Sequence, residues 1–214
     1  MSEQFCNTKS RYHGGVAKRR KRTYVKAARA QSETETRDRI VDAVVALHEE
    51  IGPLRTTISA IAGRAGVQRL TVYRHFPDEH ALIGACSARW TERQPPPDPA
   101  AVTAADPRRR AGELLVALYA YYRRGERMLE KIHADAPHMA VVRETLSPFS
   151  EYLDAFVKEI ERRWRGRSAL RTATLRHAVE FETWQSLSAL TASDAEAAEL
   201  VLRWCEGLRK RGSG

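Results

Sequence analysis

Apolar residues recur along this chain at helical intervals. Ile40, Val44, Leu47 and Ile51 fall at i, i+4, i+7 and i+11, one stripe of an amphipathic helix that starts at about residue 34. Gly52-Pro53 ends it. Thr57 caps a second helix with Ile58, Ile61, Ala62 and Ala65 facing inward, and Gly66 supplies the positive φ of a tight turn. A short third helix turns Val72 and Phe76 inward. Pro77 follows, and Asp78 caps a fourth helix through about Glu92, with Ile83, Cys86 and Trp90 on its buried side.

The stretch RQPPPDPA, 93–100, breaks every periodic pattern and reads as a linker or domain boundary. Beyond it the helical stripes return. Leu114, Leu115, Leu118, Tyr121 and Tyr122 form one, and Phe149, Tyr152, Leu153, Phe156, Val157, Ile160 and Trp164 another. Residues 168–192 read as one long alanine-rich helix, and Ser193 or Asp194 caps a last helix carrying Leu200, Val201, Trp204 and Leu208. No segment alternates with the period of a strand, and no internal repeat is found. The expected fold class is all-α.

Charge divides the chain differently. The net charge is +9, but residues 1–31 hold nine Lys/Arg against one acid, residues 32–92 hold seven against nine, and residues 93–214 hold twenty against seventeen. The excess therefore sits in the first segment, around KRRKR at 18–22, expected to be a disordered, solvated arm able to hold nucleic-acid phosphates. Three expected units follow: a basic arm at 1–31, a head at 32–92 and a helical body at 93–214. No run of apolar residues is long enough for a membrane span, and no signal peptide is read. Cys6, Cys86 and Cys205 are too few and too scattered for a disulfide framework or a zinc site, so reduced thiols in a cytoplasmic protein are expected.

The chemistry concentrates in AIAGRAGVQRLTVYRHF, 60–76. Around Gly66, a small-sided helix that lets a neighbour approach closely meets a second, short helix. Opposite Val72 and Phe76, that helix presents Gln68, Arg69, Thr71, Tyr73 and Arg74, groups that donate to phosphates, hydrogen-bond base edges or touch a thymine methyl. A helix this short and polar suits a major groove.

Here the chain resembles the TetR family of transcriptional regulators. The resemblance covers about residues 35–90 and rests on TRDRIVDAVVALHEEIG, TTISAIAGRAGV, LTVYRHF and PDEHAL. It implies an N-terminal three-helix DNA-binding domain with a helix-turn-helix, a fourth linking helix, and a larger helical domain that binds a small molecule and dimerises. By position it places Thr57 and Ser59 near DNA, Gln68, Arg69, Leu70, Thr71, Tyr73, Arg74 and His75 on or beside the recognition helix, and phosphate contacts at Tyr73 and His75. Arg69 is the expected base reader, because a guanidinium grips guanine O6 and N7 with two bonds. One position departs from the family: its usual lysine at the start of the fourth helix is Glu79 here, after Asp78. The missing attraction is assigned to the arm, with Lys18, Arg19, Arg20, Lys21 and Arg22 reaching the backbone or the minor groove.

Ten of the sixteen aromatic residues lie in 93–214. With the domain's histidines they suggest a mainly apolar effector site drawn from Tyr119, Tyr122, His133, Tyr152, Phe156, His177, Phe181 and Trp184. Leu187, Leu200, Val201, Trp204 and Leu208 are the expected dimer contacts. HADAPH at 133–138 has the wrong spacing for a metal, HEE at 48–50 lacks the second histidine of a zinc protease, and no nucleophile sits in a recognisable setting, so no metal, cofactor or catalytic residue is expected. The expected function is a homodimeric, ligand-responsive repressor on a palindromic double-stranded DNA operator. The alternative is a scaffold that binds nucleic acid or an anionic surface without reading sequence.

Overall fold

The computed structural model describes residues 14–162, 164 and 168–208, with side chains from 26 onward. Among these residues there are nine α-helices and no strand: α1 (Gly14–Ile51), α2 (Ile58–Ala65), α3 (Arg69–His75), α4 (Glu79–Arg93), α5 (Pro107–Asp135), α6 (Ala140–Glu161), α7 (Ala169–Ala178), α8 (Phe181–Ser188) and α9 (Asp194–Gly207). None of the described helices is long and apolar enough to cross a membrane.

The head is α1–α4. Its core is Ile40, Val44, Leu47, Ile61, Ala62, Val72 and Phe76, closed from the body side by Met128 of α5. Local chemistry sets each boundary. Gly52, at φ 82°, ends α1 and donates its N–H to the His48 carbonyl at 3.0 Å. The Thr57 hydroxyl accepts from Ala60 N at 3.2 Å, and Asp78 Oδ1 from Ala81 N at 2.8 Å, capping α2 and α4. Gly66, at φ 64° and ψ 41°, closes α2, with Val67 N donating to the Ala62 carbonyl at 3.0 Å.

α1 reaches further back than the sequence suggests. Backbone 14–31, expected as a disordered arm, is helical and continuous with the head. No Gly or Pro interrupts the run after Gly15, and Ala27, Ala28, Ala30, Gln31 and the basic residues are good helix formers. Residues 26–35 are exposed, and Arg29–Glu33 and Gln31–Glu35 pair along the helix at 3.3 and 3.0 Å. The side chains of Lys18 to Arg22, and all of residues 1–13 including Cys6, lie outside the described part.

The body packs α6–α9 around α5, which Asp106 and Pro107 start. Leu114, Leu118, Tyr122, Phe156, Phe181 and Trp184 lie in its core. The proline-rich segment before α5 is strapped down: Tyr152 Oη donates to the Pro97 carbonyl at 2.6 Å and the buried Arg110 guanidinium to the Pro99 carbonyl at 3.0 Å.

The single long helix expected over 168–192 is instead two, α7 and α8, because Glu180 is extended at φ −72° and ψ 144°. The break frees the carbonyls of Ala178 and Val179 inside the core. Tyr119 Oη donates to the first at 2.9 Å and Tyr122 Oη to the second. No Gly or Pro marks this break, so a pattern of neighbours along the chain gives no sign of it; two tyrosines from another helix hold it. Tyr122→Phe leaves the Val179 carbonyl buried without its donor, and urea unfolding should show a loss of about 1–3 kcal/mol. Unchanged stability would mean that the break does not depend on the phenol.

Candidate nucleic-acid interface

α3 is held from behind by Val72, which is fully buried, and by Phe76 at its end. Its other side is open. Gln68, Arg69, Leu70, Tyr73 and Arg74 are exposed, Leu70 to 76%, and Thr71 is half-buried. Thr57 and Ser59, at the start of α2, are exposed as well. The Thr57 hydroxyl oxygen serves the cap, which leaves its O–H free to donate. His75 is set differently: it is half-buried, and its Nε2 is buried with no hydrogen-bond partner.

The ion pairs sort the head's charges. Arg89 of α4 grips Asp38 and Asp42 of α1 at 2.5 and 2.6 Å, Arg93 adds a second bond to Asp42 at 2.7 Å, and Arg64 meets Glu50 in two bonds at 2.6 and 2.7 Å. Arg37 lies over the Phe76 ring at 4.8 Å. Arg55, Arg69 and Arg74 have neither an ion pair nor a hydrogen bond among the described residues. Asp38, Asp42 and Glu50 are thus paired within the helices behind α3, while unpaired guanidiniums remain near α3. Sequence reading passed over Arg55, two residues before Thr57, because it belongs to no helix stripe.

Behind the head lies a cavity of about 100 Å³. It is bounded by His48 of α1, by Ile83, Cys86, Ser87, Trp90 and Thr91 of α4, by Tyr121, Met128, Leu129 and Ile132 of α5, and by Val142, Thr145, Leu146 and Phe149 of α6. His48 and Ile83 also wall a second hollow of about 240 Å³ that reaches Tyr73 and Phe76 at the base of α3. Burial lowers the His48 pKa to about 4, against a smaller opposing pull from Asp135, and pushes the Cys86 thiol up to about 12. Both groups are therefore uncharged at neutral pH, and they meet at 3.4 Å through Cys86 Sγ and His48 Nδ1.

None of the eight residues expected to form an effector site lines this cavity. Tyr119, Tyr122, Phe156, Phe181 and Trp184 are buried in the body's core, and the last four pack on one another or on neighbouring rings. Tyr152 holds Pro97, His133 Nδ1 pairs with Glu182 at 2.7 Å, and His177 faces Thr183 at 3.4 Å. Stripes of aromatics look alike whether they fill a core or border a space. Of the expected dimer contacts, Val201 and Leu187 are buried within the chain's own core. Leu200 and Leu208 are half-buried, and Trp204 is 40% exposed. Among the described residues, no group of three or more His, Cys, Asp or Glu could hold a metal.

Residues 40–86 match the family model "Bacterial regulatory proteins, tetR family". No curated protein matched the chain. Among solved structures, a TetR transcription regulator from Haloarcula marismortui is similar at a TM-score of 0.57 and 18% identity, over 81% of this chain and 96% of that one. A putative TetR-family regulator from Mesorhizobium loti gives 0.55 and 16%, over 83% and 96%. The multidrug binding protein EbrR, complexed with imidazole, gives 0.52 and 21%, over 78% and 93%. Residues 40–86 thus match the tetR-family model in sequence, and most of the chain shares its fold with these solved structures.

Proposed function

We propose that this protein is a homodimeric, sequence-specific DNA-binding repressor, released from a palindromic operator by a small, mainly apolar effector. The observation that carries this reading is the open face of α3: unpaired Arg69 and Arg74 with Gln68, Leu70, Thr71 and Tyr73, on a helix fixed from behind by Val72. Guanidinium and amide groups on such a helix reach base edges, and Leu70 suits a thymine methyl. Thr57, Ser59 and Arg55 flank it as phosphate donors. Lys18, Arg19, Arg20, Lys21 and Arg22 add non-specific attraction, which depends on salt. His75 supports α3 from its half-buried position and reaches phosphate only if its ring turns outward.

In this reading residues 32–92 are the reading unit and 93–214 the sensing and dimerising unit of a cytoplasmic protein. The effector binds in the cavity at their junction rather than among the aromatic core residues. EbrR, which shares the fold, is named for multidrug binding, in keeping with an apolar site. The dimer forms through Leu200 and Trp204 of α9 and Leu208 just after it, joined by Leu190, which is 86% exposed just after α8. Two heads related by a twofold axis then address two half-sites.

Arg69→Ala tests the reading residue by residue. On an operator selected with the wild type, it should lose about 1–3 kcal/mol of discrimination at one base pair per half-site, measured by competition between single-base variants. A uniform loss over all sequences would make Arg69 a phosphate contact instead.

A further inference from the structure

Arg37 of α1 stands apart from the head's other guanidiniums. It lies three and seven residues before Ile40 and Val44, on the row of α1 that packs into the head's core. Its own helix offers two carboxylates, and neither takes it. Glu33, four residues back in the favourable orientation for such a pair, meets Arg29 at 3.3 Å, and Asp38 meets Arg89 of α4 at 2.5 Å. The Arg37 guanidinium lies instead over the ring of Phe76, 4.8 Å from its centroid. Phe76 is buried and closes α3, its N–H donating to the Val72 carbonyl at 2.9 Å. Arg37 itself is exposed, and among the described residues it has no ion pair and no hydrogen bond.

An aromatic face under a guanidinium fixes its plane and leaves its N–H donors free along the edge, where arginine grips a phosphate with two bonds. The surroundings call for such a group. A helix seated in the major groove is bordered by phosphate backbones. At the end of α3 a phosphate meets two exposed carboxylates, Asp78 and Glu79, and the negative end of the helix's own dipole. His75, in the last turn, keeps its Nε2 enclosed, and Arg74 stands free on the open face without a support. Arg37 brings a fixed positive charge to this end from a different helix.

We propose that Arg37 is a phosphate-binding residue: stacked on Phe76, it grips a DNA backbone phosphate beside the end of α3 and anchors α1 to the duplex. The proposal rests on the reading of α3 as a DNA reader and adds a contact from outside the helix-turn-helix. It also joins the duplex to the head–body junction. His48 lies eleven residues further along α1, on the same side and about 16 Å away, and walls the junction cavity. One helix thus runs from the phosphate to that cavity.

The test uses the full chain and a duplex carrying an operator selected with the wild type, with affinity read by fluorescence anisotropy over a salt series. Arg37→Met keeps the Phe76 ring covered and removes the charge; the position is exposed and methionine is a good helix former, so the fold is kept. Arg39→Met removes the same charge from the other side of α1, where Arg39 donates only to Thr36 Oγ1 at 3.4 Å. Arg37→Met should weaken binding roughly tenfold or more at low salt, equally for the operator and its single-base variants. It should also flatten the slope of log affinity against log salt by about 0.9 for each head. Arg37→Lys should keep most of the slope, and Arg39→Met should keep both slope and affinity. A wild-type slope in Arg37→Met would overturn the proposal whatever the affinity, because Arg37 would then only support Phe76. An equal flattening in Arg39→Met would overturn it too, because net charge alone would be at work. If no operator is selected, the reading of α3 fails separately. The contact is then judged on a random duplex, where it stands only if Arg37→Met has a flatter salt slope than Arg39→Met.

Discussion

Gly52→Ala should destabilise the protein by about 3–4 kcal/mol, measured by urea unfolding, and should loosen the head from the body. Two costs combine. At φ 82°, an L side chain pays about 1–2 kcal/mol for the left-handed conformation. A Cβ there would also lie 2.5 Å from Asp135 Oδ2, at the end of α5. That oxygen accepts from Leu54 N at 2.9 Å, so the carboxylate must retreat and give up a charge-assisted bond worth about 1.5–3 kcal/mol. The bond ties the loop after α1 to the last turn of α5, a link between head and body that does not run through α4. A double-mutant cycle separates the two costs. On an Asp135→Ala background, Gly52→Ala should cost only the backbone share, about 1–2 kcal/mol. If Gly52→Ala is near neutral in the wild type, the contact does not hold the two parts together.

Acidification should weaken the protein through His48, by about 2.5 kcal/mol between neutral pH and about pH 4.5. The imidazole titrates at about 4 in the folded protein, against an ordinary value of 6.5. Between those values the unfolded chain binds a proton that the folded chain refuses. The contribution is therefore whole above the unfolded pKa, falls as the pH drops through 6.5, and levels off below about 4. The cause is burial against Cys86 at the junction, with Asp135 opposing it weakly. His48→Gln removes the titration, and its stability should fall less than the wild type's over the same interval. Equal acid dependence in the two proteins would mean that His48 is not buried neutral.

The elements of the head were legible because their signals are local. A threonine before an apolar run, a glycine after one and an aspartate after a proline act within one helical turn, and Thr57, Gly66 and Asp78 stand where such chemistry puts them. What depends on contacts distant in sequence was not legible. Nothing at Val179 and Glu180 announces the break between α7 and α8, because the groups that hold it are Tyr119 and Tyr122. The junction cavity forms where four helices diverge. Of its wall, Trp90 and Tyr121 were read as buried faces of separate helices, and the only trace of His48 was its place four residues after Val44 on the buried stripe. The same limit applies to the body's aromatics expected to form an effector site, of which Tyr119, Tyr122, Phe156, Phe181 and Trp184 lie in the core and none lines the junction cavity. Periodicity tells which residues face inward and says nothing of whether they meet.

The most direct measurement is selection of bound duplexes from a random-sequence pool with the full chain, at low and at raised salt. The account predicts a palindromic consensus that survives the higher salt, with the two half-sites about one helical turn or a multiple of it apart. Binding that enriches no sequence and collapses as salt is added would contradict it: only the basic segment before the head would then be engaging DNA, and α3 would not be a reader.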